Sequence, residues 1–383
     1  MSLVWRTSLA FDPWAWLVWG REVTRLDLST TGGPSWKPLP VLLTTPLAVL
    51  GSAAPVAWLV AARAAGLGAL ALAFCLGRRL SGVLAGVLAT VGLLLTPDGG
   101  PRFLRLVAEG HSAPAEAAIA LWAAGSHLAG RHRHTLFALG LLALLRPEAW
   151  PFLGLHALWT WRHAPEDRRL LVAVLVAIPL LWFGGDWWGA GNPLHGAGDA
   201  QVVGDPLSQR VGESLDRIAK VIVVPLWIGV AVALVDARRQ ADELGRRLLT
   251  VGLAALAWLG IVFAMAVVLR YAALSRFLLP AAAVLCVLGA HGLVVAVRRA
   301  PAGLARAGVV AGLVVLSLGL VLPRVLAMGT LVGDIEERAD IERLLVEALD
   351  DAGGRDVLLA CDRVVADPTD LPQAAVAWHL DVP

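Results

Sequence analysis

Asp12, in "AFDPWAW", and Lys37, in "SWKPLP", stand among tryptophans and prolines in an otherwise apolar chain. A carboxylate at a membrane surface can take the proton from a hydroxyl as a general base, or bind a divalent cation. A lysine at that depth can hold an anionic phosphate as a point charge. Each also has a structural reading: Asp before Pro starts turns and caps helices, and interfacial lysines snorkel to headgroups. Glu109, His111 and Glu116 in "AEGHSAPAEAA" offer a second polar group. With Asp12, Glu109 and His111 would suit Mn²⁺ or Zn²⁺ better than Mg²⁺. Otherwise they begin a helix, with Ser112 as cap and Pro114 in its first turn.

Arginines supply the remaining candidates. Arg102 and Arg105 lie three apart, on one helix face, and Arg270 and Arg276 flank "YAALS" beside Tyr271. Each either contacts an anionic phosphate or anchors the chain at an interface. Arg146 and Glu148, in "LRPEAW", are costly at membrane depth unless paired or facing a polar cavity. They bridge each other or the surroundings of Arg63, or Glu148 binds an acceptor. Asn192 and His195, in "GNPLHG", sit on a glycine-rich stretch that is either a cover over a bound substrate or only a turn.

The elements that position these residues follow from composition. The chain of 383 residues is 58% hydrophobic and 16% charged, with a mean hydropathy of +0.71. Its apolar runs reach the length needed to cross about 30 Å of hydrocarbon. The reading is an all-α polytopic membrane protein in contact with membrane lipids. A net charge of +2, with arginines scattered over short loops, gives no reason to expect a nucleic-acid partner. Cys75, Cys286 and Cys361 are too few and too dispersed for a disulfide framework or a zinc site.

Apolar runs bounded by charge predict spans near 55–76, 80–97, 113–130, 170–189, 218–235, 248–269, 272–297 and 304–323, with two shorter tilted helices meeting at Arg146–Glu148. The arginine clusters at 77–79, 131–134, 161–169, 237–247 and 297–301 then fall on one side, the cytoplasm by the positive-inside rule. Asp12 and Lys37 face outward. Three regions result: a first outer loop with interfacial helices over 1–54, a transmembrane bundle over 55–323, and a small extracytoplasmic α/β tail over 324–383. In the tail, 334–350 reads as a soluble helix and "DVLLAC" as a strand. The run 38–50 reads as an interfacial helix, and Trp14, Trp16, Trp19 and Trp36 fit the same headgroup depth.

Asp12 in "FDPWAW", Glu22 in "GREV", Lys37 with Pro38 and Leu39 in "WKPLP", and Gly51 follow one another in a spacing that resembles the first outer loop of GT-C membrane glycosyltransferases. The resemblance is to the branch with aminoarabinose transferases and protein mannosyltransferases. Arg63, "LRPEAW" and "GAGNPLHGAGDA" resemble its later features. It covers about 1–200 well and the rest by hydropathy alone. In that family a transmembrane helix precedes the acid, where only eleven residues precede Asp12 here, so the reading expects a first helix and a longer C-terminus beyond these ends.

The resemblance implies a GT-C-like bundle in the cytoplasmic (inner) membrane, with its active site outside. It would transfer a hexose or pentose, with inversion, from a polyprenyl-phosphate donor to a hydroxyl on a glycan, lipid or protein of the cell envelope. Asp12 is then the catalytic base. Lys37, Arg102, Arg105, Arg270 and Arg276 hold the donor phosphate. Glu22, Glu109, His111, Glu148 and His195 serve the acceptor or support the site, and a divalent cation (Mn, Mg or Zn) on Asp12, Glu109 and His111 is an open expectation. A lipid or solute transporter is the rival reading, although related halves and symmetric broken helices are missing from the pattern. A catalytically inactive scaffold of the same fold is the third. Abundant Ala, Leu, Gly and Arg with two lysines point to an actinobacterial host.

Overall fold

The structure is a computed structural model that describes residues 7–96, 102–201, 204–240, 242–272, 274–360 and 373–382. It is built from α-helices. The first part holds α1 (Phe11–Arg25), α2 (Pro38–Leu47), α3 (Ala54–Ser81), α4 (Val83–Leu94), α5 (Arg102–Ala108), α6 (Ala113–Leu128), α7 (His132–Ala143), α8 (Trp150–His163) and α9 (Arg168–Ala190). Then follow α10 (His195–Asp199), α11 (Leu207–Ala219), α12 (Val224–Gln240), α13 (Glu243–Val268), α14 (Leu279–Arg299), α15 (Leu304–Leu326), α16 (Met328–Asp351), α17 (Gly354–Leu359) and α18 (Gln373–Leu380).

Among the described residues, five helical stretches are long and apolar enough to cross a membrane, or six if α11 and α12, which meet at 78°, form one broken span. The chain is a multi-pass membrane protein. One of the five, Pro38–Ser81, runs 44 residues, far more than about 30 Å of hydrocarbon needs at 1.5 Å per residue. Gly51, at φ 54 and ψ −127, breaks it and leaves the 28 residues of α3 as the crossing. The short pair at the Arg146–Glu148 corner is present as α7 and α8. Two expected spans come out shorter: α4 has 12 residues and α6 has 16.

The core is organised around α14, of which every residue from Leu279 to Val294 is buried. Buried all round, it is apolar all round. Glycines let α12 approach it closely: a Cβ on Gly229 would meet the Gly289 carbonyl, and one on Gly292 would meet that of Gly229. Without a hydrophobic gain between helices in lipid, such backbone approach supplies the packing energy.

Two expectations need correction. The segment expected as a strand, from Asp356, is helical as α17, and Gln201–Tyr271 is an isolated bridge rather than part of a sheet. The tail is therefore helical among the described residues, with Cys361 outside them. Trp14, Trp16, Trp19 and Trp36 do not present their rings to lipid; they are buried in the protein, Trp16 completely. They pack with Trp58 and the tail residues Ala375, Val376 and Leu380 in a second core above the bundle. Their rings hold α1 on α18 and α3, as at Trp14–Trp378 (6.1 Å) and Trp16–Trp58 (5.6 Å).

Candidate active site

Asp12 lies in the first turn of α1, where the helix dipole favours a carboxylate. It makes no N-cap bond; Ala10 is the cap residue. The residue is 5% exposed, with its carboxylate turned inward. Two hydrogen bonds hold the turn at Glu109–Gly110: Ala10 N, at the start of α1, donates to the Glu109 carbonyl (3.0 Å), and the Trp58 indole of α3 donates to the Gly110 carbonyl (3.0 Å).

Lys37 precedes Pro38, which fixes it in extended backbone at φ −137 and ψ 115, as the cap residue of α2. Its ammonium does not snorkel. It lies 5.2 Å from the centre of the Trp16 ring and 3.7 Å from Asp12 Oδ2. Helix α2 is locked to α1 by Thr44, whose hydroxyl donates to the Trp16 carbonyl at 2.6 Å, and Gly20 leaves room for that contact.

Arg276 arrives from the short turn Ser275–Leu278 before α14. Its Nη2 lies 3.2 Å from Asp12 Oδ2, and its Nη1 donates to His111 Nδ1 at 3.3 Å. His111 Nε2 is 3.4 Å from Glu109 Oε2. Glu109 also takes Arg105 at 2.9 Å and Arg338 at 3.2 Å. One chain of charge thus runs Lys37–Asp12–Arg276–His111–Glu109–Arg105, drawn from four separate parts of the sequence, with Arg338 adding a fifth.

Beneath it lies a drier cluster. Arg146, 1% exposed, donates from Nε to Glu116 Oε2 (2.8 Å) and lies over the Phe277 ring (3.9 Å). Ser112 donates to Glu116 Oε1 (2.8 Å) instead of capping α6. Glu148, also 1% exposed, has two buried carboxylate oxygens without a hydrogen-bond partner. Arg146 therefore pairs with Glu116, not with Glu148, and Arg63 is elsewhere, donating to the Thr7 hydroxyl (2.6 Å).

Electrostatics follow from this arrangement. Burial alone would raise the Asp12 carboxyl, but the Lys37, Arg276 and His111 charges outweigh it and hold it below the ordinary carboxylate range. Burial draws the Lys37 ammonium down to about 8, helped by Arg146 and opposed by Asp12. Glu109 would be raised by burial, yet His111, Arg338 and Arg105 bring it down. His111 is lowered, chiefly by burial, with Glu109 opposing.

The remaining candidates are not in this cluster. Glu22 is ten residues along α1, about 15 Å of helix from Asp12. It accepts from Ser29 N (2.9 Å) and secures the turn after α1, with burial lifting its carboxyl to about 7. His195 starts α10 and faces Asp199 at 3.3 Å. Its loop does lean on the site, because Gly196 packs against the backbone of Trp36, next to Lys37. Arg270 is exposed, in left-handed backbone at φ 56. The side chain of Arg102, in α5, lies outside the described residues. Arg338 is the contributor that the sequence did not reveal, because the α16 segment reads as an ordinary soluble helix.

The expected cation does not fit these residues. Asp12 is shared by two basic side chains, and Glu109 by two arginines and an imidazole. Among the described residues no group of three or more His, Cys, Asp or Glu side chains is placed to hold a metal ion.

No family model matches the sequence, and no curated protein matches it. Among solved structures, the chain is similar to ArnT from Cupriavidus metallidurans bound to undecaprenyl phosphate. The TM-score is 0.54 at 16% identity, covering 99% of this chain and 72% of that one. The apo form of the same protein gives a TM-score of 0.49 at 16% identity, covering 87% and 70%. The chain shares the helical membrane fold of the undecaprenyl-phosphate-bound ArnT structure.

Proposed function

We propose that the chain is a GT-C-type membrane glycosyltransferase that moves one sugar from a polyprenyl-phosphate donor to a hydroxyl acceptor on the outer face of the cytoplasmic membrane. The observation that supports this most is the sharing of one buried carboxylate, Asp12, by Lys37 and Arg276. The ArnT structure of this fold that carries undecaprenyl phosphate adds to it.

The charge arithmetic suits the reaction. A polyprenyl-phosphate sugar is a phosphodiester with one negative charge; the leaving polyprenyl phosphate is a monoester that gains a second. Lys37 and Arg276 would meet charge that grows during bond breaking, and so bind the transition state better than the donor. The acceptor oxygen attacks the anomeric carbon from the face opposite the phosphate, the bond from that carbon to the phosphate oxygen breaks with its electron pair staying on the departing polyprenyl phosphate, and the acceptor proton passes to Asp12. A free glycan, lipid or protein hydroxyl is an equally suitable nucleophile.

At rest, Asp12 is a weak base because two cations hold its pKa down. A donor phosphate drawing on the same cations would release the carboxylate and raise its basicity. The base is then strengthened when a donor is present, which disfavours proton abstraction in an empty site.

Lys37 gives the test. Donor capture needs its ammonium, so affinity for the donor is expected to fall as pH rises through about 8, and binding just above that pH should take up a proton, measurable as a buffer-dependent calorimetric heat. Stability runs the other way. The folded-state pKa is below that of the unfolded lysine, so the unfolded chain holds more protons between about 8 and 10.5 and the Lys37 contribution to stability rises with pH there. In Lys37→Met the pH dependence of donor binding should vanish along with most of the affinity. An unchanged profile would remove Lys37 from the phosphate site. Because the carboxylates are saturated by basic groups, transfer is expected to be unchanged by EDTA; loss on chelation and recovery with Mn²⁺ would contradict the metal-free reading.

A further inference from the structure

We infer that α11 is an interfacial helix: it lies along the membrane surface at the Asp12 end of the bundle, with Leu207, Val211 and Leu215 set into the acyl chains of that leaflet, and it is not the first half of a broken span. Two observations place it at that end. Arg210 donates to the Ala266 and Val267 carbonyls (3.2 and 2.8 Å), where α13 finishes. Arg217 and Val221 wall a small cavity together with Ser275 and Arg276. Its direction follows from the bend. Helix α12 lies along α14 in backbone contact at Gly229, Gly289 and Gly292, and so crosses the hydrocarbon with it. Because α11 meets α12 at 78°, it runs nearly parallel to the membrane plane.

The residues of α11 divide it lengthwise into three sides. At about 3.6 residues per turn, Ser214, Arg217 and Ile218 share one side. Ser214 is buried and Ile218 packs on the core, so this side faces the protein. Gln209, Glu213, Asp216 and Lys220 share a second side, which is exposed. Leu207, Val211 and Leu215, each four residues from the next, form the third; more than half of Leu207 and of Leu215 is exposed. A helix of 13 residues that carries charge in every turn is too short and too polar to begin a crossing. Its separation of an apolar stripe from a charged one is that of helices that rest in an interface.

Lipid is the occupant of the stripe for two reasons. The polar groups of α11 satisfy one another along the helix: Arg217 pairs with Glu213 at 2.8 Å, Lys220 with Asp216 at 2.6 Å, and Gln209 donates to Glu213 at 2.9 Å. The apolar stripe is what remains to be covered. Exposed apolar surface also continues from it onto the neighbouring crossings. Val224 and Ile228 open α12, and Val268 and Leu269 stand at the end of α13, to which Arg210 ties α11; all four are exposed. Those helices meet hydrocarbon along their outer faces, and the stripe extends that surface to the border of the leaflet. The turn that carries Arg276, packed beside Arg217 and Val221, is thereby held at headgroup level, the depth of a lipid phosphate.

Spin-label accessibility of the full chain in palmitoyl-oleoyl phosphatidylcholine bilayers tests this, in a background of Cys75→Ala and Cys361→Ala with the buried Cys286 left in place. A nitroxide on Leu215→Cys should collide more often with oxygen, which concentrates in lipid, than with a water-soluble nickel chelate. On Gln209→Cys the order should reverse. Leu207→Cys repeats the first reading if Leu215→Cys does not fold. Three results would overturn the inference. Nickel collisions prevailing at both positions would put water over the stripe. Oxygen prevailing at both would make α11 part of a crossing. A nitroxide on Leu215→Cys shielded from both reagents would give the stripe to a protein partner, such as a second copy of this chain.

Discussion

Asp12→Asn is expected to lower the turnover number for sugar transfer by about 10²–10⁴-fold, the range for a lost general base, while donor affinity holds or rises. The two effects separate because the residue has two partners. As a carboxylate, Asp12 neutralises Lys37 and Arg276 in the empty site. As an amide it frees both cations for the donor phosphate and removes the proton acceptor. A variant damaged only in its fold would lose binding and turnover together. Single-turnover transfer and equilibrium donor binding, measured on the same preparation, check this.

The largest expected effect on stability is at Arg146. The guanidinium is buried against Glu116 and Phe277. Arg146→Met would leave the buried Glu116 carboxylate without the cation it is paired with. Removing one partner of a buried pair costs about 3–5 kcal/mol, more than the pair itself is worth relative to apolar residues. The double variant Arg146→Met with Glu116→Gln should therefore unfold later than Arg146→Met alone, with the difference appearing as coupling between the two sites. Thermal unfolding in detergent followed by tryptophan fluorescence reads both. Equal destabilisation in the single and double variants would mean that the ion pair contributes little.

The fold was legible where hydropathy is a property of a whole segment. Helices α3, α9 and α13 coincide with apolar runs, and the Arg-Pro-Glu interruption falls between α7 and α8 as its proline and charges require. Legibility failed where packing decides. Trp14, Trp16 and Trp19 look like interfacial residues because indoles favour headgroups; only the docking of α18 and α2 shows them to be a core. "DVLLAC" has a strand-like run, yet Gly354 to Leu359 is helical, with no neighbouring strand to pair with among the described residues.

The site shows the same division. Asp12 and Lys37 could be singled out because acid and lysine are rare in such surroundings, and Arg276 because it ends a span. Glu22 shared that rarity but is separated from Asp12 by the rise of its own helix. Arg338 carries no local mark, since its role arises only when α16 passes Glu109. His111 was readable as a ligand or as a helix start; the structure makes it a link between Arg276 and Glu109, a use that needs the distant Arg276 segment brought to its own turn.

The central claim is that a buried carboxylate, set between basic side chains at one membrane face, accepts the proton of an attacking hydroxyl. Its most direct measurement follows label from a polyprenyl-phosphate-linked radioactive sugar in proteoliposomes containing wild type or Asp12→Asn. Covalent transfer to an acceptor by wild type, with donor bound but label untransferred in the variant, is the predicted result. Equal transfer by both, or label that crosses the bilayer still attached to its carrier, would contradict it.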